Sequence, residues 1–152
     1  MPSHKDVRHL PWRAQQMYDL VADVARYPEF IPWIHGVRIR DANAEDMHAD
    51  VIVGYKGLRE QFTSHVHFEP HSRIHIDYVA GPLKHLHNEW RFVDVPDGCT
   101  VEFDVDFSFK NSMFEMMAAQ LFESGVRKLT AAFEDRARAL YGSNNLSANN
   151  VA

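Results

Sequence analysis

The 152-residue sequence contains a single cysteine, Cys99, so no disulfide can form within the chain. One cysteine is compatible with a reducing compartment. The sequence also has no apolar run approaching the roughly eighteen residues of a membrane span. Its first ten residues, MPSHKDVRHL, have no hydrophobic signal region. We therefore expect an intracellular protein that contacts a membrane peripherally, if at all.

The sequence has no excess of positive charge. Its 16 Lys and Arg residues face 21 Asp and Glu residues, which gives a net charge of −5 at pH 7. A groove for nucleic acid as the main functional site needs the opposite balance, so we expect no DNA partner. Hydrophobic content of 45% and charged content of 24% are typical of one soluble globular domain.

Catalytic motifs are also absent. The sequence contains no Gly-x-Ser-x-Gly, no phosphate-binding glycine-rich loop and no dinucleotide fingerprint. Cys99 follows a Pro-Asp-Gly turn and has no identifiable orienting partner. Tyr55 and Tyr78 are the candidates for a general acid or base, but core tyrosines whose hydroxyls reach water or a backbone carbonyl are the favoured interpretation. We predict a protein that is not an enzyme.

Ten histidines invite a metal hypothesis. His65 and His67 alternate with Val66 and Phe68, so in a strand they point away from the core. The same alternation places further histidines on this outer face: His48, His75, His85 and His87. A His-x-His pair on one strand face can chelate zinc. A solvated, pH-sensitive polar face explains the same residues, and we therefore expect no metal site.

The most regular stretch is a long helix predicted from Ser112 to Tyr141. Apolar residues recur at every third to fifth position, and charged residues occupy the opposite stripe. Ser112 and Glu115 fit a capping box at its start. Gly142 fits its end, because glycine tolerates a positive φ. A helix of this length needs a large apolar surface to cover its buried face.

The preceding residues predict that surface. The pattern of Ser3 to Leu10 fits an edge strand, and that of Pro11 to Val24 fits a helix. The turn from Tyr27 to Trp33 contains two prolines. It either closes one end of the core or forms the rim of a pocket. Six alternating segments follow, typical of an antiparallel meander with one apolar face. We therefore predict an α+β fold: a curved antiparallel sheet wrapped around the C-terminal helix, in one domain of residues 1–142. The polar tail, residues 143–152, is predicted to be disordered.

The inward-facing set is rich in phenylalanine, and the long helix adds methionines. Such walls suit a flat ring with a hydrocarbon tail, and they equally suit an ordinary core. Gly125 and the small Ala118 are expected to leave room between the helix and the sheet.

Several segments, in order, resemble a known family. They are residues 16–24 (QMYDLVADV), 27–33 (YPEFIPW), Val53-Gly54, 60–64 (EQFTS), Gly81-Pro82-Leu83, Trp90-Arg91-Phe92 and Ala132-Phe133. Together they resemble the coenzyme Q-binding proteins of the START-like (helix-grip, polyketide cyclase/dehydrase) superfamily. The bacterial ribosome-association toxin shares the same segments.

This resemblance implies a START-like helix-grip fold with a cavity between the sheet and the C-terminal helix. The cavity is expected to hold ubiquinone, or a similar polyprenyl quinone or lipid, as a bound ligand. The protein is then expected to act as a quinone chaperone, without catalysis and without another cofactor, in support of respiratory electron transport. The absence of a mitochondrial presequence suggests a bacterial member, cytoplasmic and at most transiently in contact with the inner membrane. The alternative is a toxin-type protein that binds a ribosomal subunit and inhibits translation, through the basic residues Arg38, Arg40, Lys56 and Arg59.

The ligand-binding side chains expected from this reasoning come from the turn, the strands and the long helix. They are Phe30, Pro32, Trp33, Val53, Tyr55, Phe62, Val66, Ile76, Tyr78, Leu86, Trp90, Phe103, Phe107, Met117, Leu121 and Gly125.

Overall fold

The structure, a computed structural model, describes residues 3–55 and 57–142, without the side chains of Tyr55 and Leu58. Lys56 and the predicted disordered tail 143–152 lie outside the described residues. The elements are β1 (Ser3–Leu10), α1 (Ala14–Ala22), a 3₁₀ helix (Val24–Glu29), β2 (Ile34–Arg40), β3 (Asp46–Tyr55), β4 (Leu58–Glu69), β5 (Arg73–Ala80), β6 (Leu83–Val95), β7 (Gly98–Phe109) and α2 (Ser112–Tyr141).

In the described residues, seven strands form one antiparallel sheet in the order β1-β7-β6-β5-β4-β3-β2. Strands β2 to β7 form the predicted meander, and β1 adds to its edge beside β7. The register places apolar residues opposite one another: Val51 faces Phe62, and Trp90 faces Phe103. The predicted inward residues therefore share one face, and the predicted α+β architecture is confirmed.

The long helix α2 packs on this apolar face unevenly. Its buried residues all lie from its midpoint onward, at Val126, Thr130, Phe133 and Ala137. The Phe133 ring lies 5.1 Å from that of Trp90, between centroids, at the centre of a packed core. In the N-terminal half, Met113 and Met116 are 65% and 62% exposed. None of the helices in the described part of the chain has both the length and the apolar character that a membrane span requires.

The N-terminal helical region is shorter than predicted. Helix α1 begins at Ala14, whose backbone N–H donates to the Asp94 carboxylate at 2.8 Å, and it ends at Ala22. The 3₁₀ helix that follows contains Pro28, which is compatible with short 3₁₀ turns but not with a continued α-helix. Phe30, just after it, packs edge-on against Phe133 at 5.3 Å between centroids. This part of the turn closes one end of the core.

The predicted capping box at the start of α2 is wrong. Asn111 is the N-cap, and its side chain accepts hydrogen bonds from the backbone N–H groups of Met113 and Phe114, at 2.8 and 3.2 Å. Glu115 instead accepts from the Ser108 hydroxyl and from the Phe109 N–H, so it ties the first helical turn to the end of β7. The predicted helix end is confirmed: Gly142 has φ = 88° and its N–H donates to the Arg138 carbonyl at 2.8 Å.

The beginning and the end of the described chain are joined. The Trp12 indole N–H donates to the Gly142 carbonyl at 2.9 Å, and the Tyr141 hydroxyl donates to the Gln16 carbonyl at 3.0 Å. Strand β1 pairs with β7 along its whole length, so that Leu10 faces Cys99. Cys99 is fully buried, and burial raises the pKa of its thiol to about 11.

Candidate ligand-binding cavity

A cavity of about 440 Å³ lies between the inner face of the sheet and the N-terminal half of α2. Its wall is almost entirely aliphatic and aromatic, and Glu60, Ser124 and Lys128 are its polar side chains. The full lining is Trp33, Val53, Gly54, Glu60, Phe62, Pro82, Leu83, Leu86, Val105, Phe107, Phe109, Phe114, Met117, Ala118, Leu121, Phe122, Ser124, Gly125, Val126, Lys128 and Leu129.

The cavity exists because α2 contacts the core closely only in its second half. Towards the N-terminus the helix carries Ala118 and Gly125 on the face that lines the cavity. A Cβ atom built on Gly125 would meet no atom within 4 Å. The expected space at Gly125 and Ala118 is therefore present in the structure.

One edge of the cavity is formed by the turn between β5 and β6. Gly81 has φ = 140°, and a Cβ atom there would lie 2.8 Å from Cβ of Phe62, so glycine is required for this close approach. The turn places Pro82 and Leu83 in the cavity wall beside Phe62. The Tyr78 hydroxyl accepts a hydrogen bond from the Leu83 N–H at 3.1 Å, which fixes the turn.

Eight of the residues predicted to contact a ligand lie in the cavity wall. They are Trp33, Val53, Phe62, Leu86, Phe107, Met117, Leu121 and Gly125. They come from five strands or turns and one helix, and the fold brings them around a single space. Their contact with a ligand stays a prediction.

The other predicted site residues lie elsewhere. Most belong to the packed core under the second half of α2 or beside it: Phe30, Val66, Ile76, Trp90 and Phe103. Pro32 is exposed, and Tyr78 supports the turn described above. Tyr55 ends β3, and its side chain lies outside the described residues. Strand alternation identifies the face that meets the helix, but it does not show where along a strand the helix makes contact.

The prediction omitted most of the helical wall. Phe114, Ala118 and Phe122 line the cavity together with Met117 and Leu121. Side chains three positions apart share a helix face, so the predicted Met117, Leu121 and Gly125 already pointed to the other three. The turn residues Pro82 and Leu83 carry no comparable signal, because their position depends on how the β5–β6 hairpin bends.

One polar side chain on the inner face was not predicted. Asn88 pairs with Ile76 and Val105 in the sheet, where alternation requires an inward side chain. Its carbonyl oxygen accepts from the Trp90 indole N–H at 3.0 Å, and its amide donates to the Asp104 carbonyl at 2.8 Å. The amide is thus satisfied within the protein, at the boundary between the core and the cavity.

The outer face of the sheet is polar, as predicted. His65 Nε2 and His67 Nδ1 both lie 2.8 Å from the same Asp46 oxygen, and this contact raises the pKa of His67. Arg40 donates two hydrogen bonds to Asp50, at 2.8 and 2.9 Å.

Comparison with known families identifies the chain. Residues 10–134 match the family model described as polyketide cyclase / dehydrase and lipid transport. The protein belongs to this family. The matched region covers most of the chain, including all seven residues of the Tyr27–Trp33 turn and most of α2.

Two curated relatives of this family member have different names. The chain is 33% identical to the ribosome association toxin RatA of Escherichia coli K12, over 93% of its own length and 90% of the relative's. It is 31% identical to the mitochondrial coenzyme Q-binding protein COQ10 homolog B of Xenopus laevis, over 91% of its own length. The chain spans 59% of that second relative.

Solved structures agree with the family assignment. An 18 kDa protein from Caulobacter crescentus is 35% identical, with a TM-score of 0.77 over 93% of this chain and 99% of that one. A START superfamily protein from Mycobacterium smegmatis, 19% identical, has the same fold with a TM-score of 0.72 over 91% of this chain and 98% of that one. The expected START-like fold is confirmed.

Proposed function

We propose that this protein binds ubiquinone, or a similar polyprenyl quinone, in the cavity between the sheet and α2. In this proposal it acts without catalysis as a carrier that supports respiratory electron transport. The observation that carries the proposal is an apolar cavity of about 440 Å³ with three polar side chains in its wall. A relative named as a coenzyme Q-binding protein supports the choice of ligand.

The size and chemistry of the cavity suit this ligand class. Ligand pockets in proteins typically measure about 300–1,000 Å³, so the space accommodates a quinone ring and the first part of its tail. Burial of each methylene contributes roughly 0.8 kcal/mol, so one five-carbon isoprene unit contributes roughly 4 kcal/mol. Affinity therefore requires few polar contacts. Leu121 lines the cavity and is 40% exposed, which marks a place where the remaining tail can leave it.

Polar groups are available for the quinone ring. Lys128 and Ser124 can donate hydrogen bonds to a quinone carbonyl, which is an acceptor. The Lys128 side chain is exposed and lines the cavity, so its ammonium can reach a ligand there.

Titration with a short-chain ubiquinone tests the proposal. Trp33 lines the cavity, whereas Trp12 and Trp90 are buried in the core. We expect saturable quenching of tryptophan fluorescence in the native protein and weaker quenching in Trp33→Phe. Mass spectrometry of organic extracts from natively purified protein should also detect a quinone. Folded protein that carries no quinone and shows no saturable quenching refutes the proposal, and equal binding of a simple alkane shows that the ring is not recognised.

A second candidate function is association with the ribosome. The observation in its favour is the 33% identity to a protein named as a ribosome association toxin, over nearly the full length of both chains. Of the basic residues expected to mediate it, Arg38 and Arg59 are exposed, whereas Arg40 is held by Asp50. Lys56 lies outside the described residues.

Co-sedimentation with ribosomal subunits at moderate salt tests this candidate. Binding that is abolished in the Arg38→Glu, Arg59→Glu double variant supports it. Absence of co-sedimentation, together with unchanged polysome profiles on overexpression, eliminates it.

A further inference from the structure

Three metal-ligating side chains meet on the outer face of the sheet, which points away from α2. His75 and Asp77 belong to β5, and His87 belongs to β6. His75 Nε2 lies 2.8 Å from Asp77 Oδ2, and His87 Nδ1 lies 3.7 Å from Asp77 Oδ1. One ligand atom from each residue lies within 4.8 Å of the other two. Within residues 3–55 and 57–142 no second group of three such side chains meets this distance.

The strand register produces this arrangement. Asp77 stands directly opposite His87 in the β5–β6 ladder, and His75 precedes Asp77 by two positions on the same face. Directly opposite and diagonal neighbours on one face of a sheet are close enough for their side chains to meet. All three side chains therefore come from the rigid sheet rather than from loops, which favours a preformed site.

The ring of His75 is held in the orientation that a metal ligand needs. Its Nδ1 lies 3.2 Å from a carboxylate oxygen of Glu89 and 3.5 Å from the Arg73 guanidinium. Glu89 is 5% exposed and is fixed by ion pairs with Arg73 and Arg91. If Nδ1 keeps a proton and donates it to this carboxylate, a metal ion beside Asp77 would take the place of the proton in the Nε2–Asp77 contact and bind the Nε2 lone pair. Metal-bound histidines are typically oriented by such a carboxylate behind the ring.

Against the expectation from the sequence that this face holds no metal site, we propose that His75, Asp77 and His87 bind a zinc ion on the outer face of the sheet, independently of what the cavity binds. Two imidazoles and one carboxylate are ligands that zinc accepts, with the fourth position open to water. Tetrahedral zinc with ligand distances of about 2.0–2.1 Å needs ligand atoms roughly 3.4 Å apart. The separations of 2.8 Å to Asp77 Oδ2 and 3.7 Å to Asp77 Oδ1 lie on either side of this value, so the site needs side-chain rotations that bring one Asp77 oxygen and the two imidazole nitrogens to equal spacing. Asp77 is 56% exposed, which leaves the site open to solvent.

The position of the site links it to the cavity edge. Asp77 and His87 form the last of the five ladder pairs between β5 and β6 in the described part of the chain. Beyond this pair the hairpin continues to Pro82, Leu83 and Leu86, which line the cavity. A zinc ion there fastens the two strands where they separate, and it stabilises the folded protein because it binds only the folded arrangement.

Zinc titration of untagged protein, first freed of metal with EDTA, tests the proposal. Isothermal titration calorimetry should give one zinc ion per chain, and zinc should raise the melting temperature. Asp77→Asn and His87→Ala should each weaken binding at least about tenfold, since loss even of an outer-shell partner costs about 10–100-fold. The control variant is His67→Ala. His67 lies on the same face of the sheet but contacts Asp46 rather than Asp77, so this variant should bind zinc as the native protein does.

Cobalt provides a spectroscopic readout. Co²⁺ in the native protein should show the intense visible absorption of a tetrahedral site, and Asp77→Asn should lose it. The Asp77→Asn change is nearly isosteric and the side chain is exposed, so circular dichroism should show an unchanged fold. Native affinity in Asp77→Asn and His87→Ala overturns the proposal. So does an equal loss of zinc binding in His67→Ala, or native protein that binds no zinc.

Discussion

Substitution of Gly125 by leucine separates a ligand cavity from ordinary helix packing. The new side chain adds four carbon atoms at a position that lines the cavity and where a Cβ atom meets nothing within 4 Å, so we expect the cavity to take it up without the overpacking cost of about 1–3 kcal/mol. Replacement of a helical glycine by a good helix former contributes up to about 1 kcal/mol. We therefore expect the melting temperature to rise by about 2–4 °C. If the leucine displaces four ligand carbons, quinone binding loses roughly 3 kcal/mol, or about a hundredfold in Kd.

The assay combines thermal unfolding with titration of a short-chain ubiquinone on the same preparations. Gly125→Ala is the matched control, because it gains a similar helix propensity but adds one carbon; its Kd should rise by less than about fivefold. A destabilised Gly125→Leu variant shows that the position is packed. A stable variant with unchanged Kd shows that the ligand does not occupy the space beside Gly125. Either result refutes the reasoning.

Three further predictions concern stability and reactivity. Cys99 should resist thiol labelling at pH 8 in the folded protein and react fully in denaturant, because burial raises its pKa to about 11; rapid labelling of native protein contradicts this. The hydrogen bond from Arg40 lowers the pKa of Asp50 to about 2, so its ionised form stabilises the fold above about pH 4, and this contribution is lost as the pH falls towards 2. Urea unfolding of Asp50→Asn should show a smaller loss of stability over that interval, and an identical pH dependence in both proteins disproves the assignment. Phe133→Ala should lower the free energy of unfolding by about 3–5 kcal/mol, whereas the exposed control Met116→Ala should change it by less than about 0.5 kcal/mol; similar effects in the two argue against the packed core.

Much of the fold could be predicted because its signals are local. The bounds of α2, Ser112 to Tyr141, follow from the periodicity of the sequence and from Gly142 after it. The strands follow from alternation, which depends only on neighbouring residues. The capping residue of α2 was misassigned because Asn111 and Ser112 are both suitable caps, and the choice between them depends on a tertiary contact. Glu115 is recruited by β7, a contact that no local pattern reveals.

The cavity was harder to predict than the fold. Trp90 and Phe107 both lie on the inward face of the sheet, yet Trp90 packs in the core while Phe107 lines the cavity. The difference comes from the position of α2 along the strands, which is a property of the whole molecule. Likewise, alternation assigned His75 and His87 to the outer face, but the three-residue cluster with Asp77 needs the register of β5 against β6.

The pairing of β1 with β7 makes the order of synthesis matter. Strand β1 is made before its partner β7, which follows roughly 90 residues later, after about 5–18 s at about 5–20 residues per second. During that interval the sheet lacks one edge, because β1 has no strand to pair with until β7 is made. Helix α2 is made later still, so the hydrogen bond from the Trp12 indole N–H to the Gly142 carbonyl forms only after α2 is complete. The wall of the cavity is therefore incomplete until α2 is made.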